Sequence, residues 1–176
     1  MSSPVKKIAL IGPESSGKST LCMELARHFN TAWVPEFARE YVASLKSRYT
    51  LADIEFCAHE QLRSEEEQLM KAHRFLFCDS ELIIAKVWCA DVFKSVPAWI
   101  EEKIDSHPYD LFLLTQPDIP FKKDDVRENP HRRDYFFDWY RRELENKKFS
   151  YEIIGGQGAL RFSNSLAAIQ KHFPNL

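Results

Sequence analysis

The stretch IGPESSGKST, residues 11–20, decides the fold. It satisfies G-x-x-x-x-G-K-[ST], with Gly12 and Gly17 at the two glycine positions and Lys18 and Ser19 closing the motif. Glycines permit the tight turn and close backbone approach of a phosphate-cradling loop, and the backbone amides add a partial positive field at the start of the next helix. Glu14, Ser15 and Ser16 complete the loop. Lys18 is expected to reach the β- and γ-phosphates of ATP, and Ser19 to ligate Mg²⁺, with Thr20 beside it. Upstream, VKKIALI (5–11) is a β-prone run; downstream, Leu21, Leu25 and Phe29 recur four apart on one helical face. Strand, loop and helix thus stand in the order the motif requires. The loop predicts triphosphate binding and leaves the destination of the terminal phosphoryl group open.

Working outward, strands alternate with helices. TAWVPE (31–36), FLFCD (75–79), YDLFLLT (109–115) and FSYEII (149–154) read as further strands. Helices are expected over 37–48, over 50–73 with Thr50 as N-cap, over 81–93, over 135–146, and at the C-terminus, where Phe162, Leu166, Ile169 and Phe173 share a face. The charged SEEEQ (64–68) reads as a solvated helix face. Strands this apolar need cover on both faces, so the expected fold is α/β: a P-loop NTPase three-layer α/β/α sandwich with a five-stranded parallel sheet. Ligands then gather at the carboxyl ends of the strands.

Composition bounds the class. The 176 residues suffice for one compact domain, read here as 1–176, and 44% hydrophobic with 28% charged residues describes a soluble globular chain. A net charge of −2 exerts no global pull toward nucleic acid or an anionic membrane. Four scattered cysteines without a C-x-x-C pair suit a reducing compartment, and the N-terminus resembles neither a signal peptide nor a membrane span, so a cytoplasmic location is expected.

Each remaining candidate follows a predicted strand end. Asp79 closes FLFCD, the place of a carboxylate that holds Mg²⁺ directly or through water, with Glu81 two residues on. After the second strand come Glu36, Arg39 and Glu40; a carboxylate here would face the γ-phosphate and accept the proton of an acceptor hydroxyl. Arg39 would fix Glu36 or pair with phosphate. QPDIPFKKDDVRENPHRRD (116–134) is long, proline-interrupted and basic, which suits a lid (about 117–133) that excludes water and adds cations. Arg127 ranks first among its arginines for catalysis, with Arg132 or Arg133 second. In GGQGALRF (155–162), Arg161 is a candidate to stack on adenine. No [NT]-K-x-D string marks a guanine site; the nearest, FKKD (121–124), lacks its first residue.

Together, GPESSGKSTL, EFAREYV, the strand-end CDSE and PDIPFKKDDVRENPHRR resemble the ribosylnicotinamide kinase domain of bacterial NadR-like proteins, in the same order and across nearly the whole chain. That resemblance implies ATP- and Mg²⁺-dependent phosphorylation of the ribose 5′-hydroxyl of nicotinamide riboside. It implies a small-molecule partner, with Glu36 or Asp79 handling the hydroxyl, Arg39 at the substrate, and Tyr41 or Trp88 stacking on the pyridine. Many relatives carry this domain fused to an adenylyltransferase domain, and their lids often have glycine after the aspartate where this chain reads KDDVRE. Two alternatives accompany this expectation: a kinase of another nucleoside or nucleotide, and an ATP-binding regulator without an acceptor.

Overall fold

The computed structural model describes residues 4–106, 109–123, 126 and 128–175. The strands β1 (Lys6–Ile11), β2 (Trp33–Val34), β3 (Phe75–Asp79), β4 (Leu111–Thr115) and β5 (Tyr151–Ile154) form one parallel sheet in the order β2-β3-β1-β4-β5. The helices are α1 (Lys18–His28), α2 (Phe37–Ser44), α3 (Leu51–Leu69), α4 (Leu82–Phe93), α5 (Ala98–Ser106), α6 (Arg133–Lys147) and α7 (Ala159–His172). β1 is central, and β3 and β4 flank it on opposite sides. The chain therefore changes direction across the sheet beside the carboxyl end of β1, where open α/β sheets bind their ligands.

Side-chain alternation divides the core in two. Ile8, Leu10, Phe75, Phe77, Leu111 and Leu113 point to one face and pack with Leu21 and Leu25 of α1 and Ile169 of α7. Ala9, Ile11, Leu76, Cys78, Phe112 and Leu114 point to the other and pack beneath α3, α4, α5 and α6. Every residue of β3 and β4 is buried, which explains why both strands lack a polar face.

Thr50 caps α3 as its sequence suggests, accepting from the Asp53 backbone while Asp53 accepts from that of Thr50. α5 was not anticipated: its mixed WIEEKIDS pattern buries only Ile100 and Ile104. SEEEQ also needs correction, because it is not wholly solvated. Glu65 is buried, 2.7 Å from Lys7 Nζ, and accepts the Tyr109 hydroxyl. Lys7 is the second residue of β1, and Tyr109 lies just before β4. All four cysteines are buried and unpaired, and no helix among the described residues is long and apolar enough to cross a membrane.

Phe77 is fully buried at the centre of β3. Phe77→Ala should lower unfolding free energy by about 3–5 kcal/mol in urea denaturation, through lost burial and the cavity left behind.

Candidate active site

The loop between β1 and α1 turns back on itself. Gly12 (φ +152) lies so close to Thr115 at the end of β4 that a Cβ would overlap the Thr115 hydroxyl. Ser16 Oγ lies 2.6 Å from that hydroxyl and donates to Pro13 O at 2.8 Å. Ser15 accepts the Lys122 amide at 2.9 Å. The Ser16 side chain thus holds the loop's shape, and the Ser15 side chain ties the loop to the lid. Lys18 Nζ donates to Gly12 O and Pro13 O, each at 2.9 Å, and so lies across the loop. Burial lowers its pKa, opposed by the carboxylates of Glu36 and Asp79. Thr20 is exposed on α1.

Asp79 ends β3 in register with Leu10, which places it beside the loop. It is 1% exposed, accepts a hydrogen bond from Ser19, and its Oδ1 has no partner. Burial, reinforced by the Glu36 carboxylate, raises its pKa to about 6, while Lys18 pulls the other way. A buried carboxylate oxygen without a donor, beside a hydroxyl, is an oxygen-only environment suited to a hard divalent cation. Ser19 and Asp79 therefore fit Mg²⁺. Glu36 is the N-cap residue of α2, with Arg39 Nε 3.6 Å from its carboxylate. Gln61, which sequence reasoning missed, ties these parts together: its amide donates to Asp79 O at 3.3 Å and accepts Phe37 N at 3.0 Å.

A cavity of about 370 Å³ opens from the loop. Its wall includes Glu36, Arg39, Tyr49, Trp88, Asp91 and Arg132. Its size is that of a small-molecule site. The Tyr49 and Trp88 rings meet edge-on, 4.8 Å apart.

Several expected roles change. Tyr41 does not line this cavity; its hydroxyl donates to Asp53 at 2.7 Å and its ring packs with Phe37 and Phe56 between α2 and α3. Trp88 does line it. Arg132 grips Asp91 of α4 through two bonds of 2.7 and 2.9 Å, and its guanidinium lies over Tyr135 and Phe136. It forms part of the wall of the cavity, held to α4. Arg133 donates to the carbonyls of Ser15, Pro117 and Ile119, joining loop to lid base. Arg161 is 5% exposed: it pairs with Asp118 and donates to the carbonyls of Gly156, Ser16 and Gln116. No open guanidinium face remains for adenine, so its place is that of an internal brace. Arg127 lies outside the described residues, as do Asp124 and Asp125. Tyr49 and Asp91 went unnoticed because neither sits in a motif.

A parallel sheet with a phosphate loop at its switch point and a cavity beside it defines a P-loop nucleotide-binding protein with the architecture of nucleoside and nucleotide kinases. A family model described as an AAA domain matches residues 7–161, and the chain belongs to that family. The trifunctional NAD biosynthesis/regulator protein NadR of Escherichia coli (strain K12) is 27% identical over 128 residues, covering 70% of this chain and 31% of that protein. This chain thus spans about a third of the length of the curated relatives it matches. Among solved structures, NadR in complex with NR superposes with a TM-score of 0.85 at 20% identity, over 98% of this chain and 53% of that one. Deoxyadenosine kinase from M. mycoides superposes at 0.62 with 11% identity, over 97% and 100%.

Arg161→Lys should weaken ATP binding and lower the melting temperature, because a point charge cannot replace a planar fork that reaches several acceptors; calorimetric titration and thermal melts check both. A second expectation concerns Glu81, which caps α4 by accepting Ile83 N at 2.9 Å and whose other oxygen is unpartnered. Burial raises its pKa from 4.5 to about 8. The folded metal-free chain thus keeps this proton to higher pH than the unfolded chain, so the contribution of Glu81 to stability falls as pH rises from about 4.5 to about 8 and then levels. Glu81→Gln should flatten that slope between about 6 and 8, above the range of Asp79, in denaturation measured across pH.

Proposed function

We propose that this chain transfers the γ-phosphoryl group of ATP to the ribose 5′-hydroxyl of nicotinamide riboside, with Mg²⁺, giving nicotinamide mononucleotide. The observation that carries the reading is the nucleoside-sized cavity that begins at Gly12 and Lys18 and carries Glu36 in its wall. A nucleotide switch without an acceptor has no need of such a space. The relationship to NadR supports the riboside, as does the likeness to NadR structures bound to NR and to NAD with AMP-PNP.

In this reading Lys18 leaves the Gly12 and Pro13 carbonyls for the phosphate oxygens when ATP binds. Mg²⁺, held by Ser19 and Asp79, would offset the negative charge of the transferring group. Glu36 takes the base role because it lines the cavity, whereas Asp79 is buried beside Ser19. Glu36 accepts the hydroxyl proton as the new O–P bond forms and the bond between the γ-phosphorus and the bridging oxygen of the β-phosphate breaks, ADP leaving, with Arg39 holding the Glu36 carboxylate. Trp88 and Tyr49 supply aromatic faces for a cationic pyridinium ring. Lid residues around Glu128 and Asn129 help keep water from the phosphates. ATP dependence and four buried free thiols suit the cytoplasm.

Another nucleoside as acceptor is the second reading, favoured by the architecture shared with deoxyadenosine kinase. Assays with ATP, Mg²⁺ and a panel of ribosides decide between them: nicotinamide riboside is expected to give the highest kcat/KM, and preferential turnover of a purine or pyrimidine nucleoside would replace it. Glu36→Gln should lower transfer by at least about 100-fold while ATP still binds. Equal activity in this variant would remove Glu36 from the base role.

A further inference from the structure

Glu14 has no part in the mechanism above, yet it occupies the third position of a loop built to receive anions. A carboxylate there opposes the incoming phosphates, so its presence needs a counterweight. The structure supplies one in the lid. Glu14 accepts the backbone N–H of Glu128 through both oxygens, at 3.1 and 3.3 Å, and that of Asn129 at 3.0 Å. Two consecutive amides converging on one carboxylate make a charge-assisted clasp across a separation of more than a hundred residues.

The lid residue held in this way reaches further. The Glu128 carboxylate accepts the Tyr49 hydroxyl at 3.1 Å, and Tyr49 packs edge-on against Trp88. Glu14, Tyr49, Trp88, Glu128 and Asn129 all line the 370 Å³ cavity. A continuous chain of contacts therefore runs from the phosphate loop through the lid backbone to the aromatic wall of the acceptor space. Further ties between loop and lid use different groups, among them Ser15 with Lys122 and Arg133 with the Ser15 carbonyl. Glu14 connects the loop to the lid residue that bears on Tyr49.

We infer that Glu14 is a positioning residue for the acceptor: by fixing the Glu128–Asn129 backbone it closes the lid against the acceptor cavity and sets the Tyr49–Trp88 wall. This rests on the kinase reading for its catalytic consequence and on geometry alone for the clasp itself. Loss of the clasp leaves the loop able to bind ATP but opens the acceptor side to water. Phosphoryl transfer should then lose efficiency mainly through acceptor KM, and hydrolysis of ATP without acceptor should rise relative to transfer.

Two readouts separate these layers. Hydrogen–deuterium exchange of the segment containing Glu128 and Asn129 tests the clasp whatever the substrate: Glu14→Ala should exchange there about 10- to 100-fold faster, with Glu14→Gln between it and the parent. Kinetics test the role: Glu14→Ala should raise acceptor KM about tenfold or more and shift the ratio of ATP hydrolysis to transfer toward hydrolysis, with ATP bound no more weakly because a charge opposing the phosphates is removed, and with Glu14→Gln partly restoring the KM and the ratio. Unchanged exchange at that segment overturns the clasp. Faster exchange with the KM and the hydrolysis ratio unchanged, or a matching loss of ATP affinity, overturns the positioning role. If no riboside is phosphorylated by the parent chain, the kinase reading fails while the exchange result still decides the clasp.

Discussion

Gly12 lies against Thr115 with no room for a side chain between them, and the ligand-binding edge is organised around that approach. It brings the loop after β1 into contact with the end of β4, so the phosphate cradle is shaped by two strands rather than one. Ser16 extends the contact through its hydroxyl, and Arg161 braces it from α7 by reaching the Ser16 carbonyl. The loop is therefore preorganised by long-range hydrogen bonds, and the electrostatic value of its amides depends on that rigidity.

A second constraint is the concentration of buried carboxyl groups at the end of β3. Asp79 and Glu81 each carry an unpartnered oxygen in a buried position, an arrangement that destabilises the folded chain. Their pKa values rise because burial disfavours the charged form. In the proposed mechanism this unfavourable setting would have a chemical use at Asp79, since a cation shared with Ser19 would satisfy the free oxygen. Glu65 shows the opposite solution: a buried carboxylate paired with Lys7 and a tyrosine hydroxyl. One fold thus contains a satisfied acid that contributes to structure and unsatisfied acids at the ligand edge.

Much of this was legible in the residues. The phosphate motif, the apolar strands, the Thr50 cap and the strand-end position of Asp79 are local signals, each set by a handful of neighbouring residues. Helix α5 was not legible, because its apolar residues are too few to declare a face. Glu65 was misread because its burial depends on Lys7 and Tyr109, distant in the chain. Tyr41 and Arg161 looked available for ligands because a motif position says nothing about which side a side chain takes; one turns toward Asp53, the other inward to Asp118.

By itself, then, the sequence determined the P-loop, the alternation of strands and helices, the parallel sheet and the identity of the loop's lysine and strand-end aspartate, since these follow from short-range periodicity and steric demands on backbone. Tertiary structure alone decided which residues line the cavity, which arginines are internal braces, and that Glu14 meets the lid. Those contacts join positions about a hundred or more residues apart, such as Ser16 with Thr115, Glu14 with Asn129 and Ser16 with Arg161. They form only when packing on both faces of the sheet brings their backbones within hydrogen-bonding distance, and no local pattern records that geometry.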